Sequence, residues 1–187
     1  MTKIISITNQ KGGVGKTTTT INLATAMVAI NKRALIVDAD PQGNASTGIG
    51  IKEDERSPSL YDLISKNLFK ESAIKKTLIP NLDIIPSTID LAASEVELAN
   101  IENREGRIKN ILDKIIGYDF IFIDCPPALG LLTINSLVAS NSVIVPLQCE
   151  FFALEGLSSL VKTINAIQDG FNKSLEIEGV VLTMHDK

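Results

Sequence analysis

The chain has 187 residues, 44% of them hydrophobic and 4% aromatic, with a formal net charge of −4. That length is enough for one domain, residues 1–187, with a substantial core, and the composition fits an α/β protein built on Ile, Leu, Val and Ala. The charge offers no bulk attraction for nucleic acid, so DNA contact would need a local basic patch. No apolar run reaches the ~18 residues of a membrane span, and residues 1–8 lack the form of a secretory leader, so no membrane is expected and the reducing cytoplasm is the expected compartment.

The first element is a short β-branched strand, Lys3-Ile4-Ile5-Ser6-Ile7-Thr8. Residues 9–18 follow as Asn-Gln-Lys-Gly-Gly-Val-Gly-Lys-Thr-Thr, and from Thr17 to Ile30 the apolar spacing predicts a helix. Strand, glycine-rich loop and helix are the setting of a phosphate-binding loop, GxxxxGK[ST]. Here Gln10 replaces the first glycine and Lys11 is an additional lysine. Gly12, Gly13 and Gly15 let the backbone turn and aim N–H groups inward, at the positive end of the helix. Lys16 can reach β- and γ-phosphates, the Thr17 hydroxyl can ligate Mg²⁺, and Thr18 lies close to an α-phosphate. The loop alone leaves Lys11 open between a solvated lysine and a cation that pairs with bound triphosphate.

A second strand, 33–38, delivers Asp38 and Asp40 to the carboxyl edge of a sheet, where α/β folds bind ligands. An Asp-, Pro- and Gly-rich turn is the plainer reading of the same residues. Residues 43–80 are the least regular, with a helix start at Ser57-Pro58-Ser59 and a turn at Ile79-Pro80-Asn81 into a strand at 82–86. Residues 90–116 read as helical, and the charges at 102–114 as a solvated face. The strand 119–124 ends on Asp124, an acid that either holds Mg²⁺ through water or caps the next element. Strands at 142–147 and 177–184 complete six, and their alternation with helices predicts a doubly wound, mostly parallel sheet. Glu150 follows the fifth strand. Cys125 and Cys149 read as buried or semi-buried structural thiols, and His185, the one histidine, is given no catalytic role.

At Lys11-Gly12-Gly13-Val14-Gly15-Lys16-Thr17-Thr18 the chain resembles the deviant Walker A motif of the ParA/MinD ATPases, in particular the chromosomal ParA (Soj) partition proteins. The resemblance continues through Asp38 to Asn44, Phe122 to Pro127, Gln148 to Leu157 and Gly179 to Met184. It implies a P-loop ATPase in which these eight loop residues bind ATP. Lys11 would reach across an ATP-sandwiched homodimer. Asp40 would orient or deprotonate the attacking water, with Asp38 supporting the metal's water shell. Asp124 would hold Mg²⁺ through water, Cys125 to Gly130 would form a γ-phosphate-sensing switch, and Glu150 would approach the partner's ribose, against the plainer reading of a solvated loop glutamate. It also implies a cytoplasmic, nucleoid-associated protein with slow intrinsic turnover, non-specific DNA binding and stimulation by a ParB-type partner. A membrane-associated positioning ATPase like MinD and an iron–sulfur carrier ATPase are the alternatives within the superfamily. Chains of this kind run several dozen residues further, so a last strand, closing helices and most of the basic DNA surface are expected beyond residue 187.

Overall fold

The computed structural model describes residues 2–149 and 153–184. Its frame is a sheet of seven strands: β1 (Lys3–Ile7), β2 (Ala34–Asp38), β3 (Lys75–Lys76), β4 (Leu82–Ile85), β5 (Phe120–Asp124), β6 (Ser142–Gln148) and β7 (Glu176–Thr183). The order across the sheet is β3-β4-β2-β5-β1-β6-β7, and every pair is parallel except β3–β4. The six strands expected from the sequence are present. The seventh, β3, is two lysines long and carries no β-branched signal. It is held against β4 by the ion pair from Lys76 to Asp83, 2.7 Å.

Hydrophobic alternation builds the layers. β2 is buried along its whole length because both its faces are covered. Ile36 points to the side of α1 (Lys16–Ala29) and α2 (Asn44–Gly48), together with Ala24, Ile84 and Phe122. Leu35 and Val37 point the other way, toward α3 (Leu60–Lys66) and, beyond the short α4 (Ser94–Glu97), toward α5 (Arg107–Leu112) and α6 (Leu131–Ala139). On this second face α7 (Ala153–Gly170) packs Leu160, Ile164 and Ile167 against Val143 and Val145 of β6.

α3 starts where the sequence places a helix start, with Ser59 at its N-cap and the Asp62 carboxylate accepting the Ser59 N–H at 2.8 Å. The helical reading of 90–116 is corrected. The segment is broken into α4 and α5 with tight turns before each, and Asn103 sits between them in the left-handed region at φ 55°. Its charges are not all solvated either, since Arg107 donates to the Ile64 carbonyl at 3.1 Å. β7 is the edge strand opposite β3, and its apolar residues Ile177, Val180 and Leu182 are exposed.

The chain leaves β1 toward α1 on one face and β5 toward α6 on the other, although β1 and β5 are neighbours. The diverging loops open a crevice at the carboxyl ends of the strands, the general ligand position in such sheets.

Candidate active site

The loop after β1 occupies that crevice. Gly13 and Gly15 take φ of 75° and 84°, a region open to glycine at little cost, which lets the loop fold back over the start of α1. The buried Asn9 fixes the loop's entrance: its amide donates to the Pro146 carbonyl at 2.7 Å and its Oδ1 accepts the Lys11 N–H at 3.0 Å. Thr183 of β7 donates to the Val14 carbonyl at 2.8 Å. Val14 itself is buried, so it serves the loop through its backbone.

Parallel register sets the acids. Asp38 pairs with Asp124 across β2 and β5, and Asp124 pairs with Ile7 of β1, so the strand ends bring the carboxylates to the loop. Thr17 Oγ1 donates to Asp124 Oδ2 at 2.7 Å, and Thr20 Oγ1 lies 3.1 Å from Oδ1. Asp38 is fully buried; its Oδ2 accepts the Ser46 N–H and hydroxyl at 2.8 and 2.6 Å. Asp40, also buried, accepts the Gln42 N–H at 2.9 Å and donates its own N–H to Asp38 Oδ1 at 3.3 Å. The Asp-, Pro- and Gly-rich segment from Asp38 to Gly43 is therefore both a turn and an acidic site.

The electrostatics show which charge is in deficit. Burial pushes the Asp124 carboxyl up to about 7 and the Asp38 carboxyl up to about 6, against the pull of the hydrogen bonds from Thr17, Thr20 and Ser46. Burial also lowers the Lys16 ammonium, opposed first by Asp124. Lys16 Nζ donates to the Lys11 carbonyl at 3.0 Å. Lys16 thus answers to Asp124 and Asp40, with Asp38 buried beside Asp124, an arrangement that suits a further cation. Among the described residues no group of three His, Cys, Asp or Glu side chains could hold a metal ion alone. The Thr17 hydroxyl beside Asp124 is a hard-oxygen donor set of the sort that Mg²⁺ shares with waters and phosphate.

A cavity of about 410 Å³ collects these groups. Gly12, Gly13, Gly15, Lys16, Thr17, Thr18, Asp40, Gln42, Asn44, Pro127 and Met184 line it. The sequence-read residues Lys11 to Thr18, Asp38, Asp40 and Asp124 are therefore drawn together, while Glu150 and His185 lie outside the described residues. Cys125 is fully buried, and burial pushes its thiol up to about 12. Cys149 is exposed, which corrects the expectation of two buried or semi-buried thiols. Asn9, Thr20, Ser46 and Thr183 were not singled out in the sequence. Thr20 carried a signal, one helical turn beyond Thr17; the others depend on contacts between distant segments.

A family profile described as an AAA domain matches residues 2–177. The chain is 53% identical over 187 residues to the sporulation initiation inhibitor protein Soj of Bacillus subtilis, covering 100% of this chain and 74% of that protein. It is 49% identical to the chromosome partitioning protein ParA of Caulobacter vibrioides, over 99% and 70% of the two chains. Among solved structures, cobyrinic acid a,c-diamide synthase from Mycobacterium smegmatis, with bound ATP analog and magnesium, superposes with a TM-score of 0.95 at 37% identity, over 100% of this chain and 77% of that one. A plasmid partition protein from Borrelia burgdorferi superposes with a TM-score of 0.86 at 30% identity, over 100% and 80%.

Proposed function

The chain belongs to the Soj/ParA family of AAA-domain proteins, and from that premise we propose that it is a Mg²⁺-dependent ATPase, a nucleotide-switched homodimer acting in chromosome or plasmid partition. The observation that carries this reading is the convergence of Lys16, Thr17, Asp40 and the glycine cradle on one cavity, with Asp124 bonded to Thr17. A fold alone does not assign a function, and the named neighbours include a diamide synthase. The Soj and ParA relatives, at 53% and 49% identity, favour partition.

In the proposed cycle the N–H groups of Gly12 to Thr18 cradle the triphosphate and Lys16 pairs with the β- and γ-phosphates. Mg²⁺, when bound, offsets charge on the phosphate oxygens; Thr17 would ligate it, and Asp124 would hold it through water. Asp40 positions the attacking water, and Asp38 behind it braces the loop and supports the metal's water shell. Lys11 acts in trans on the partner's nucleotide, and Glu150 approaches the ribose of that nucleotide. The ATP-bound dimer binds DNA without sequence preference until a ParB-type protein stimulates hydrolysis. The protein is placed in the cytoplasm at the nucleoid. Among the described residues no helix is long and apolar enough to cross a membrane. The buried Cys125 thiol, pushed up by burial, is a poor cluster ligand, which speaks against an iron–sulfur carrier.

Asp40→Ala tests the assignment. Hydrolysis should fall by about 10²- to 10⁴-fold while ATP affinity stays within a few-fold, and gel filtration with ATP should show a trapped dimer. Turnover at the wild-type rate would remove Asp40 from the chemistry.

A further inference from the structure

Arg56 is a buried charge that the proposed cycle does not use. Only 6% of its surface is exposed, and among the described residues no carboxylate pairs with it. Its guanidinium is spent on neutral oxygens. Nη2 donates to Thr47 Oγ1 at 2.7 Å and to the Ile51 carbonyl at 3.3 Å, Nε reaches the same carbonyl at 3.4 Å, and Nη1 donates to the Ser87 carbonyl at 3.3 Å. Burying a cation among carbonyls is costly, and a long flexible side chain would not stay there without a closely fitted frame.

Two hydrogen-bond relays start from this frame, one ending on the backbone carbonyl of Asp40 and the other on the Asp38 carboxylate. Along the first, Thr47 Oγ1, accepting from Arg56, donates to the Gly43 carbonyl at 3.1 Å, and the Gly43 N–H donates to the Asp40 carbonyl at 2.9 Å. Along the second, the Ser87 N–H donates to Ser46 Oγ at 3.0 Å, and that hydroxyl donates to Asp38 Oδ2 at 2.6 Å. Ser46, Ser87 and Asp38 are fully buried, so water cannot substitute for the links. Gly43 takes φ 63° directly over Nη1, where any Cβ would collide with the guanidinium. The loop from Asp38 to Thr47 is thus seated on Arg56.

We propose that Arg56 is a positioning residue for ATP hydrolysis, a planar cationic bracket that fixes Asp40 and Asp38 through Thr47 and Ser87. This rests on the assignment of Asp40 above. Arg56 does not line the cavity of the glycine-rich loop, so its loss should act on the chemical step and leave nucleotide binding in place.

The test uses the full chain. Arg56→Ala should lower single-turnover ATP hydrolysis by about ten- to a hundredfold while the affinity for a fluorescent ATP analogue changes by less than about threefold. Arg56 lines two surface cavities, of about 390 and 490 Å³, so a small guanidinium can enter the vacated place. Ethylguanidinium at millimolar concentration should restore a large part of the rate in Arg56→Ala and leave wild type unchanged; ethylammonium should not. Thr47→Val cuts one relay while leaving the arginine anchored, and its loss should not add to that of Arg56→Ala. Wild-type hydrolysis in Arg56→Ala, or a parallel fall in rate and ATP affinity that ethylguanidinium does not reverse, would overturn the proposal. If Arg56→Ala fails to fold, a wild-type rate in Thr47→Val overturns it; if it folds, additivity of the two losses does. Asp40→Ala run alongside separates the two failures: an active Asp40→Ala sinks the functional reading, whereas an inactive Asp40→Ala with an active Arg56→Ala sinks only the bracket.

Discussion

The two ends of the sheet treat buried charge in opposite ways. At the amino ends, Asp83 is bonded by both the Tyr118 hydroxyl, 2.6 Å, and the Lys76 ammonium, 2.7 Å. Arg33 stacks 5.2 Å from the centre of the Tyr118 ring, and its N–H is taken by Asp119 at 2.8 Å. Burial and the Asp83 bond both raise the Tyr118 hydroxyl, which keeps it a donor. At the carboxyl ends, the buried Asp40 and Asp124 share one buried lysine, and the buried Asp38 lies opposite Asp124 in the register. One end is neutralised from within and pins the fold. The other is left in need of a ligand, and that deficit marks the working edge.

Removing charge should therefore have opposite effects at the two ends. Asp124→Asn should abolish most hydrolysis, by at least about 10²-fold, yet make the ligand-free protein more stable by about 1–2 kcal/mol, because it relieves a desolvated carboxylate. Denaturant titration without nucleotide reads this, and a destabilised variant would mean that the site is balanced after all. Asp83→Ala should do the reverse. Stability should fall by about 2 kcal/mol, since the Tyr118 hydroxyl loses a buried acceptor, while hydrolysis per folded molecule stays at the wild-type level. The smallest effect is on pH. The folded-state values of about 6 for Asp38 and about 7 for Asp124 lie above the ordinary aspartate value of 3.8, so between about pH 4 and 7 the folded chain binds more protons than the unfolded chain. The contribution of these groups to ligand-free stability falls as pH rises through that window. Melting curves should show a slope that Asp124→Asn reduces and that Mg²⁺ with ATP flattens.

Much of this could be read from the sequence, for identifiable reasons. Phosphate chemistry depends on a contiguous stretch, so residues 11–18 declared themselves, and Asp38 and Asp124 were placed by ending apolar strands. What escaped was set by distance along the chain. Asn9 works through Pro146, Thr183 through Val14, and Arg56 through Ser87, and no local pattern records such pairs. The same holds for β3, whose two lysines form a strand only because Asp83 lies opposite. The interrupted helix at 90–116 has a different cause: charge and helix propensity run on through Asn103, but the backbone there turns left-handed.

The bond from Thr183 to Val14 makes the rim of the sheet a lever on its centre. β7 is the strand most open to outside contact, and its last residue grips the loop whose shape decides whether phosphate fits. Whatever lies along Val180 and Leu182 thus bears on the loop at Gly15, where Thr183 Cγ2 would stand 3.5 Å from any added Cβ, and it does so without entering the cavity.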